Sequence, residues 1–279
     1  MKAPRTCKKV VLWGVSLAGI IAFSWGVSNY IPRGEDWYTV FRPATLALLA
    51  GKSPYTIPGF FNPPWALLPL IPFALLPENV GRTLLLIVGL TAFAYIGHRL
   101  GGSKWAVIAV LLSPPLLQGM LNSNIDWLAL LGVVLPPPIG LFFATIKPQV
   151  GLGIVVFWLV EAWRSGGWKE TLRLFGPVTL AGVLSLVVYG WWPFRATEIT
   201  GAWWNASLWP MSLPIGLALL VAALRKRHLG YALSASPCFA PYLAFHTWVV
   251  AIFGLIRSTP ATIAVVVGLW LLVVIGALV

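Results

Sequence analysis

The chain has 279 residues, of which 59% are hydrophobic and only 9% charged, and its mean hydropathy is +0.87. A water-soluble domain of this size would have nothing to place on its surface, so the composition excludes that class and points to a polytopic α-helical membrane protein; a β-barrel would show short alternating segments in place of these continuous apolar runs. The net charge of +12 comes from Lys and Arg scattered between apolar runs, a pattern of cytoplasmic retention and attraction to anionic lipid that excludes nucleic acid as a partner.

Lys2, Arg5, Lys8 and Lys9 precede the apolar run Val10 to Val27. No small-residue cleavage site follows it, so the run reads as a first membrane helix with a cytoplasmic N-terminus. Residues 30 to 62 then lie on the outer face. They carry two adjacent acids, Glu35 and Asp36, in a chain with only seven Asp and Glu. Trp37, Val40, Phe41, Ala44 and Leu48 recur at helical spacing, which predicts an interfacial helix over Asp36 to Ala50 with Gly51 as its stop. Asp36 stands at the helix start, where the helix dipole favours an anion.

Asn62 to Pro77 is apolar but interrupted by Pro63, Pro64, Pro69, Pro72 and Pro77, and reads either as a span or as a re-entrant segment. Thr83 to Gly97 reads as a cleaner helix. Trp105 to Leu117 and Ile125 to Leu135 are short and flank a polar stretch, Gln118 to Asn124. Ile139 to Trp163 is long enough to span and ends in a charged inner loop containing Glu161, Arg164, Lys169, Glu170 and Arg173. Leu174 to Trp192 leads out to a Trp-rich loop with Arg195, Glu198, Trp203 and Trp204. Leu208 to Leu224 returns to Arg225-Lys226-Arg227, a cytoplasmic marker. A broken segment around Ser236-Pro237, a helix through His246 to Ile256 and a last apolar helix from Ala261 to Val279 complete the chain. The expectation is one all-α membrane domain over residues 1–279, a bundle of about nine to eleven segments.

Polar side chains at membrane depth are costly, so each is a candidate for function. Asp126 and Lys147 stand 11 and 10 residues either side of Pro137. If the prolines turn a helix pair, the two sit at similar depth, roughly 15 Å from the turn at 1.5 Å per residue. They read either as a structural ion pair or as a pair whose Lys147 lines a cavity and binds a phosphate. Gln118, Asn122 and Asn124 read as glue between helices or as cavity lining. His246, among Phe245 and Trp248, reads as a hydrogen-bonded core residue or as a ligand for substrate. Glu35 and Asp36 read as a solvated loop pair or as acids poised at the outer surface. Ser-His-Asp order, HExxH, CxxC, GxGxxG and Walker loops are all missing, and Cys7 and Cys238 have no metal-ligand spacing with a partner.

The order of these features resembles the GT-C superfamily of membrane glycosyltransferases. An acid follows the first helix, an interfacial helix ends in Gly51-Lys52-Ser53-Pro54-Tyr55, and Asn62-Pro63-Pro64-Trp65 comes next. Within the superfamily the pattern is similar to glycosyltransferase family 87, the polyprenyl-phosphate-mannose-dependent group. That family's Gly-Gln-x-Asn motif has a loose counterpart in Gln118-Gly119-Met120-Leu121-Asn122. Its intramembrane lysine feature resembles Lys147-Pro148-Gln149, and its late Ser-Pro and His resemble Ser236-Pro237 and His246. The chain is short for the family and its Gln-Asn spacing is altered.

The resemblance implies a GT-C-like fold in a bacterial plasma membrane, with the site on the outer face. It implies inverting transfer of mannose, or another hexose or pentose, from a polyprenyl-phosphate donor to a hydroxyl of a lipid or glycan acceptor. Asp36 would act as general base and His246 would hold the donor phosphate, with Lys147 and Arg195 as further cations. Gln118, Asn122, Tyr55 and Glu35 would complete substrate binding, without cofactor or metal. A non-catalytic membrane subunit and a transporter of lipid-linked substrates are the alternative classes; inverted repeats with paired broken helices, the mark of a transporter, are not found in the sequence.

Overall fold

A computed structural model of the protein describes residues 18–19, 22–199 and 202–278, with the side chains of 196–199 and 278 outside that description. Most of the expected first helix, with Cys7 and the basic residues before it, lies outside the described residues, as does the side chain of Glu198. Residues 22–27 are helical.

All regular structure among the described residues is helical, with no strand. A short π-helical turn, Trp37–Phe41, runs into α1 (Arg42–Leu49), and the chain leaves it through Gly51 at φ +69°. The helix therefore stands where the spacing of Trp37, Phe41 and Ala44 places it, and these three residues are buried. After 3₁₀ turns at Pro54–Thr56 and Pro64–Leu70 come α2 (Glu78–Arg99), α3 (Lys104–Leu111), α4 (Pro114–Leu121), α5 (Asp126–Leu131) and α6 (Pro137–Ala144). The remainder forms α7 (Pro148–Tyr189), α8 (Leu213–Lys226), α9 (Leu229–Ala235), α10 (Val249–Gly254) and α11 (Thr259–Leu278).

Among the described residues, three helices are long and apolar enough to cross a membrane: α2, α7 and the stretch Thr259–Ala277 of α11. The pair α3 and α4, bent by 54°, makes a fourth if it counts as one broken span. Other apolar runs that the sequence suggested as spans fold as short helices. Proline explains much of this, since it lacks an N–H and restricts the residue before it; it can start a helix but not extend the preceding one. It occupies the first turn of α4, α6, α7 and α8. Inside α7, Gly166 and Gly167 leave helical geometry (φ −156° and +61°), so its 42 residues are two helices joined at the expected charged loop.

The second half of α7 and most of α11 expose Leu180, Val187, Val188, Leu272 and Ile275 by more than half. Apolar faces of that extent are consistent with a hydrocarbon surrounding. The core lies on the other side of these helices, around Trp37, Leu67, Leu70, Leu85, Leu128, Ile154 and a stacked Phe93–Phe253 pair at 5.7 Å.

The turn from α5 to α6 is tight because two glycines face each other. A Cβ on Gly132 would stand 2.5 Å from the Gly140 carbonyl oxygen, and one on Gly140 would stand 2.4 Å from that of Gly132. Small residues at such a crossing let backbones approach closely. Gly140→Leu is expected to force the pair apart and to cost about 1–3 kcal/mol, read as a lowered unfolding midpoint in detergent micelles.

Candidate active site

A cavity of about 870 Å³ lies between the start of the π-turn, the end of α4, the start of α7, Trp192 with Trp203 and Trp204, and residues 242–247. Its chemistry centres on a chain of polar groups drawn from four separate parts of the sequence.

Asp36 reaches this wall because Gly34, buried at φ +72°, turns the chain into the π-turn. The Asp36 amide then donates to the Asn122 carbonyl at 3.0 Å. Past α4 the backbone turns sharply at Ser123 (φ +57°), and the Asn124 amide N–H closes the turn on the Gly119 carbonyl at 2.8 Å. Asn124 is thereby placed as a bridge. Its Nδ2 donates to Asp36 Oδ2 at 2.6 Å, and its Oδ1 accepts from Lys147 Nζ at 2.7 Å and from the Asp126 amide at 3.2 Å. An amide has one accepting and one donating end, so the carboxylate on one side and the ammonium on the other fix its orientation.

Lys147 also donates directly to Asp126 Oδ1, making the ion pair that the spacing about Pro137 suggested. The other oxygen, Asp126 Oδ2, accepts from Thr247 Oγ1 at 2.9 Å and lies 3.6 Å from His246 Nε2. Asp126, Asn124, Thr247 and His246 are all at most 6% exposed. The Nε2 of His246 has no hydrogen-bond partner among the described residues, and its ring borders the cavity. Gly119 packs closely against His246, since a Cβ there would stand 3.0 Å from His246 Cβ.

Asn62-Pro63-Pro64-Trp65 clamps the strand of chain that carries Lys147. Asn62 Nδ2 donates to the Ile146 carbonyl at 2.9 Å and Trp65 Nε1 to that of Phe142 at 2.9 Å. The Tyr55 hydroxyl in turn donates to the Asn62 carbonyl at 3.0 Å. Pro63 is extended and Pro64 opens the 3₁₀ turn, and neither has an N–H of its own to satisfy.

Of the residues expected to bind substrate, Glu35, Asp36, Gln118, Asn122, Lys147 and His246 line this one cavity. Tyr55 and Arg195 are not among the lining residues. The Tyr55 ring is buried and stacks on Trp192 (5.4 Å between centroids, 15° between planes), and Arg195 Nη1 donates to the Tyr55 carbonyl. Tyr55 therefore packs behind Trp192, which lines the cavity, and Arg195, itself exposed, is tied to the Tyr55 backbone through Nη1. Glu35 is exposed at the rim.

The sequence alone reads Asn124 as glue or lining and does not single out Thr247 and Tyr242, which stand in the same walls. Asn124 carried a signal, a polar residue two positions before a buried acid. Tyr242 carried none. Burial, with the Asp36 and Asp126 carboxylates nearby, pushes its phenol up, so it stays a protonated donor.

The charges are unevenly arranged. Lys147 is offset by Asp126, whereas Asp36 has an amide as its partner and no cation in contact among the described residues. The first turn of α7, Pro148 and Gln149, borders the cavity; Pro148 has no N–H and the Val150 and Gly151 amides close on the Lys147 carbonyl, so what favours an anion there is the dipole of the helix. Among the described residues no group of three or more His, Cys, Asp or Glu stands together as a metal site. Comparison with protein-family models, curated proteins and solved structures finds no match to this chain.

Asn124→Leu removes a donor from Asp36 and an acceptor from Lys147 and is expected to cost about 1–3 kcal/mol, since both groups stay largely buried without replacement. Asn122→Ala is expected to stay within about 0.5 kcal/mol, because its contribution is a backbone carbonyl. Thermal unfolding followed by near-UV circular dichroism separates the two.

Proposed function

We propose that the protein is a polytopic membrane glycosyltransferase of GT-C type that moves a sugar from a polyprenyl-phosphate donor to an acceptor hydroxyl, with inversion at the anomeric carbon. The observation that carries the reading is Asp36 on the cavity wall, with Oδ2 held by Asn124 and Oδ1 without a hydrogen bond among the described residues. A carboxylate held by one oxygen and open at the other is suited to take a proton. Lys147, the unpartnered His246 Nε2, the Tyr242 hydroxyl and the start of α7 stand around the same cavity as groups able to receive a phosphate.

The step is a single displacement. The acceptor oxygen attacks the anomeric carbon while its proton passes to Asp36 Oδ1. The bond from that carbon to the phosphate oxygen breaks, and its electron pair leaves with the polyprenyl phosphate. Hydrogen bonds and the helix dipole oppose the charge that develops on the phosphate. Attack and departure on opposite faces of the sugar invert its configuration. The order of motifs from Asp36 through Asn62-Pro63-Pro64-Trp65 to His246 supports the choice of donor class, and exposed Trp203 and Trp204 at the cavity suit an amphiphilic substrate with an apolar chain.

Transfer from radiolabelled polyprenyl-phosphate-mannose to membrane lipids or glycans tests the reading. Asp36→Asn is expected to lower the rate by about 10²–10⁴ while leaving the unfolding midpoint unchanged within a few degrees. His246→Ala is expected to raise the KM for donor more than it lowers kcat. Full activity in Asp36→Asn would remove the base from the mechanism.

A further inference from the structure

Three side-chain amides in the cavity take no part in the chain of polar groups around Asp36. Gln118 lies on α4 and Asn122 caps that helix one turn later, so the two share a face. Gln149 lies in the first turn of α7. All three line the cavity, and none of these side chains has a hydrogen-bond partner among the described residues. Gln118 is exposed, and Asn122 and Gln149 are half-buried, so each has room for a ligand. The α4 pair stands at the acid, since the Asn122 carbonyl accepts from the Asp36 amide at 3.0 Å.

The apolar part of the lining is mainly aromatic and proline. Val40 and Ile146 are its only branched aliphatic residues among the described ones, in a chain whose helices are rich in Leu, Ile and Val. Trp204 and Tyr242 meet there edge to face, 5.2 Å between centroids and 81° between planes. Their loops are tied together beside this contact. Asn205 Nδ2 donates to the Pro241 carbonyl at 3.0 Å, Asn205 Oδ1 accepts from the Leu243 amide at 3.0 Å, and the Ala206 amide donates to the Leu243 carbonyl at 2.7 Å. Trp204 is 43% exposed, so an indole with open surface is held in place at the cavity. Gly119 of α4 packs closely against His246, and the Asp36 carboxylate lies near Tyr242. The amides, the aromatic corner and the acid therefore face one space.

These groups select among ligands. A phosphate only accepts and would use one end of each amide, and an apolar chain would leave both ends unpaired. A sugar hydroxyl both donates and accepts, so it matches an amide at either end. The C–H face of a pyranose ring, in turn, packs on the negative face of an indole. We propose that the corner of the cavity where α4 meets residues 242–247 is a saccharide subsite, formed by Gln118, Asn122 and Trp204 beside Asp36. It takes a neutral pyranose. In the transferase reading, on which this assignment of a role rests, that sugar is the acceptor, with one hydroxyl presented to Asp36 Oδ1. The acceptor is then the end of a glycan and not a lipid alcohol.

The full chain in lipid nanodiscs, free of sugar-based detergent, is titrated with trisaccharides of mannose, glucose and galactose. Sorbitol, which carries hydroxyls but no ring face, is the control, and binding is read by saturation-transfer difference NMR. No donor is present, so the readout does not depend on turnover. At least one trisaccharide is expected to bind saturably and sorbitol is not, and Asn122→Ala and Trp204→Leu are each expected to weaken that binding about tenfold. Asn122→Ala is expected to keep the wild-type unfolding midpoint, so it serves if Trp204→Leu fails to fold. No saturable binding of any trisaccharide, sorbitol binding as tightly, or equal affinity in wild type and both variants would overturn the subsite. The two readings fail separately. Transfer to a lipid acceptor by a chain that binds no trisaccharide would sink the subsite and leave the transferase standing. Binding that the variants weaken, in a chain without transfer, would support the subsite and remove its role as acceptor site.

Discussion

The contact between Lys147 and Asp126 is the constraint from which the interior follows. Removing two charges from water costs several kcal/mol per ion, and the pair is tolerated only if each remaining lone pair and proton finds a partner. Asn124 and Thr247 meet that demand, one for the lysine and one for the acid. The tight crossing at Gly132 and Gly140 brings the two charged residues together from opposite ends of a short hairpin. Asn124, once it accepts from Lys147, has only its donating end left, and that end faces Asp36. A structural ion pair thus fixes the orientation of a carboxylate that does not belong to it.

Broken helices make this arrangement possible. A continuous span satisfies its backbone internally and offers a cavity only side chains, whereas each interruption by proline or glycine frees N–H and C=O groups. In this chain three of the interruptions border the cavity. The turn at Ser123, the start of α7 after Lys147 and the 3₁₀ turn Phe245–Trp248 all contribute to its walls. Within a bilayer, irregular backbone is tolerated where protein covers it or where it borders a cavity. The asparagines, the tyrosine and the backbone carbonyls here use the groups that regular helices would have hidden.

Part of this was legible in the residues. Counting from Pro137 placed Asp126 and Lys147 at one level, because rise per residue alone decides that. The spacing of Trp37, Phe41 and Ala44 gave the helix after Asp36, and Gly51 its end, because both rest on local geometry. The number of spans was not legible: hydropathy measures what a segment would bury, whereas proline decides where a helix stops, and the two disagree between Asn62 and Pro148. The parts played by Tyr55 and Arg195 depended on which of their atoms met ring and backbone partners far along the chain. Arg82 escaped notice because it adjoins the apolar run Thr83 to Gly97, and only its three-dimensional surroundings show that its Nη1 and Nη2 have no hydrogen-bond partner among the described residues.

The most direct test is a double-mutant cycle across the ion pair, with Lys147→Met, Asp126→Leu and the double variant unfolded in the same detergent. Each single variant leaves a buried charge alone and is expected to lose about 3–5 kcal/mol, while the double variant recovers most of that loss. Single losses that simply add in the double variant would mean that the two charges do not depend on each other, and would contradict the account at its centre.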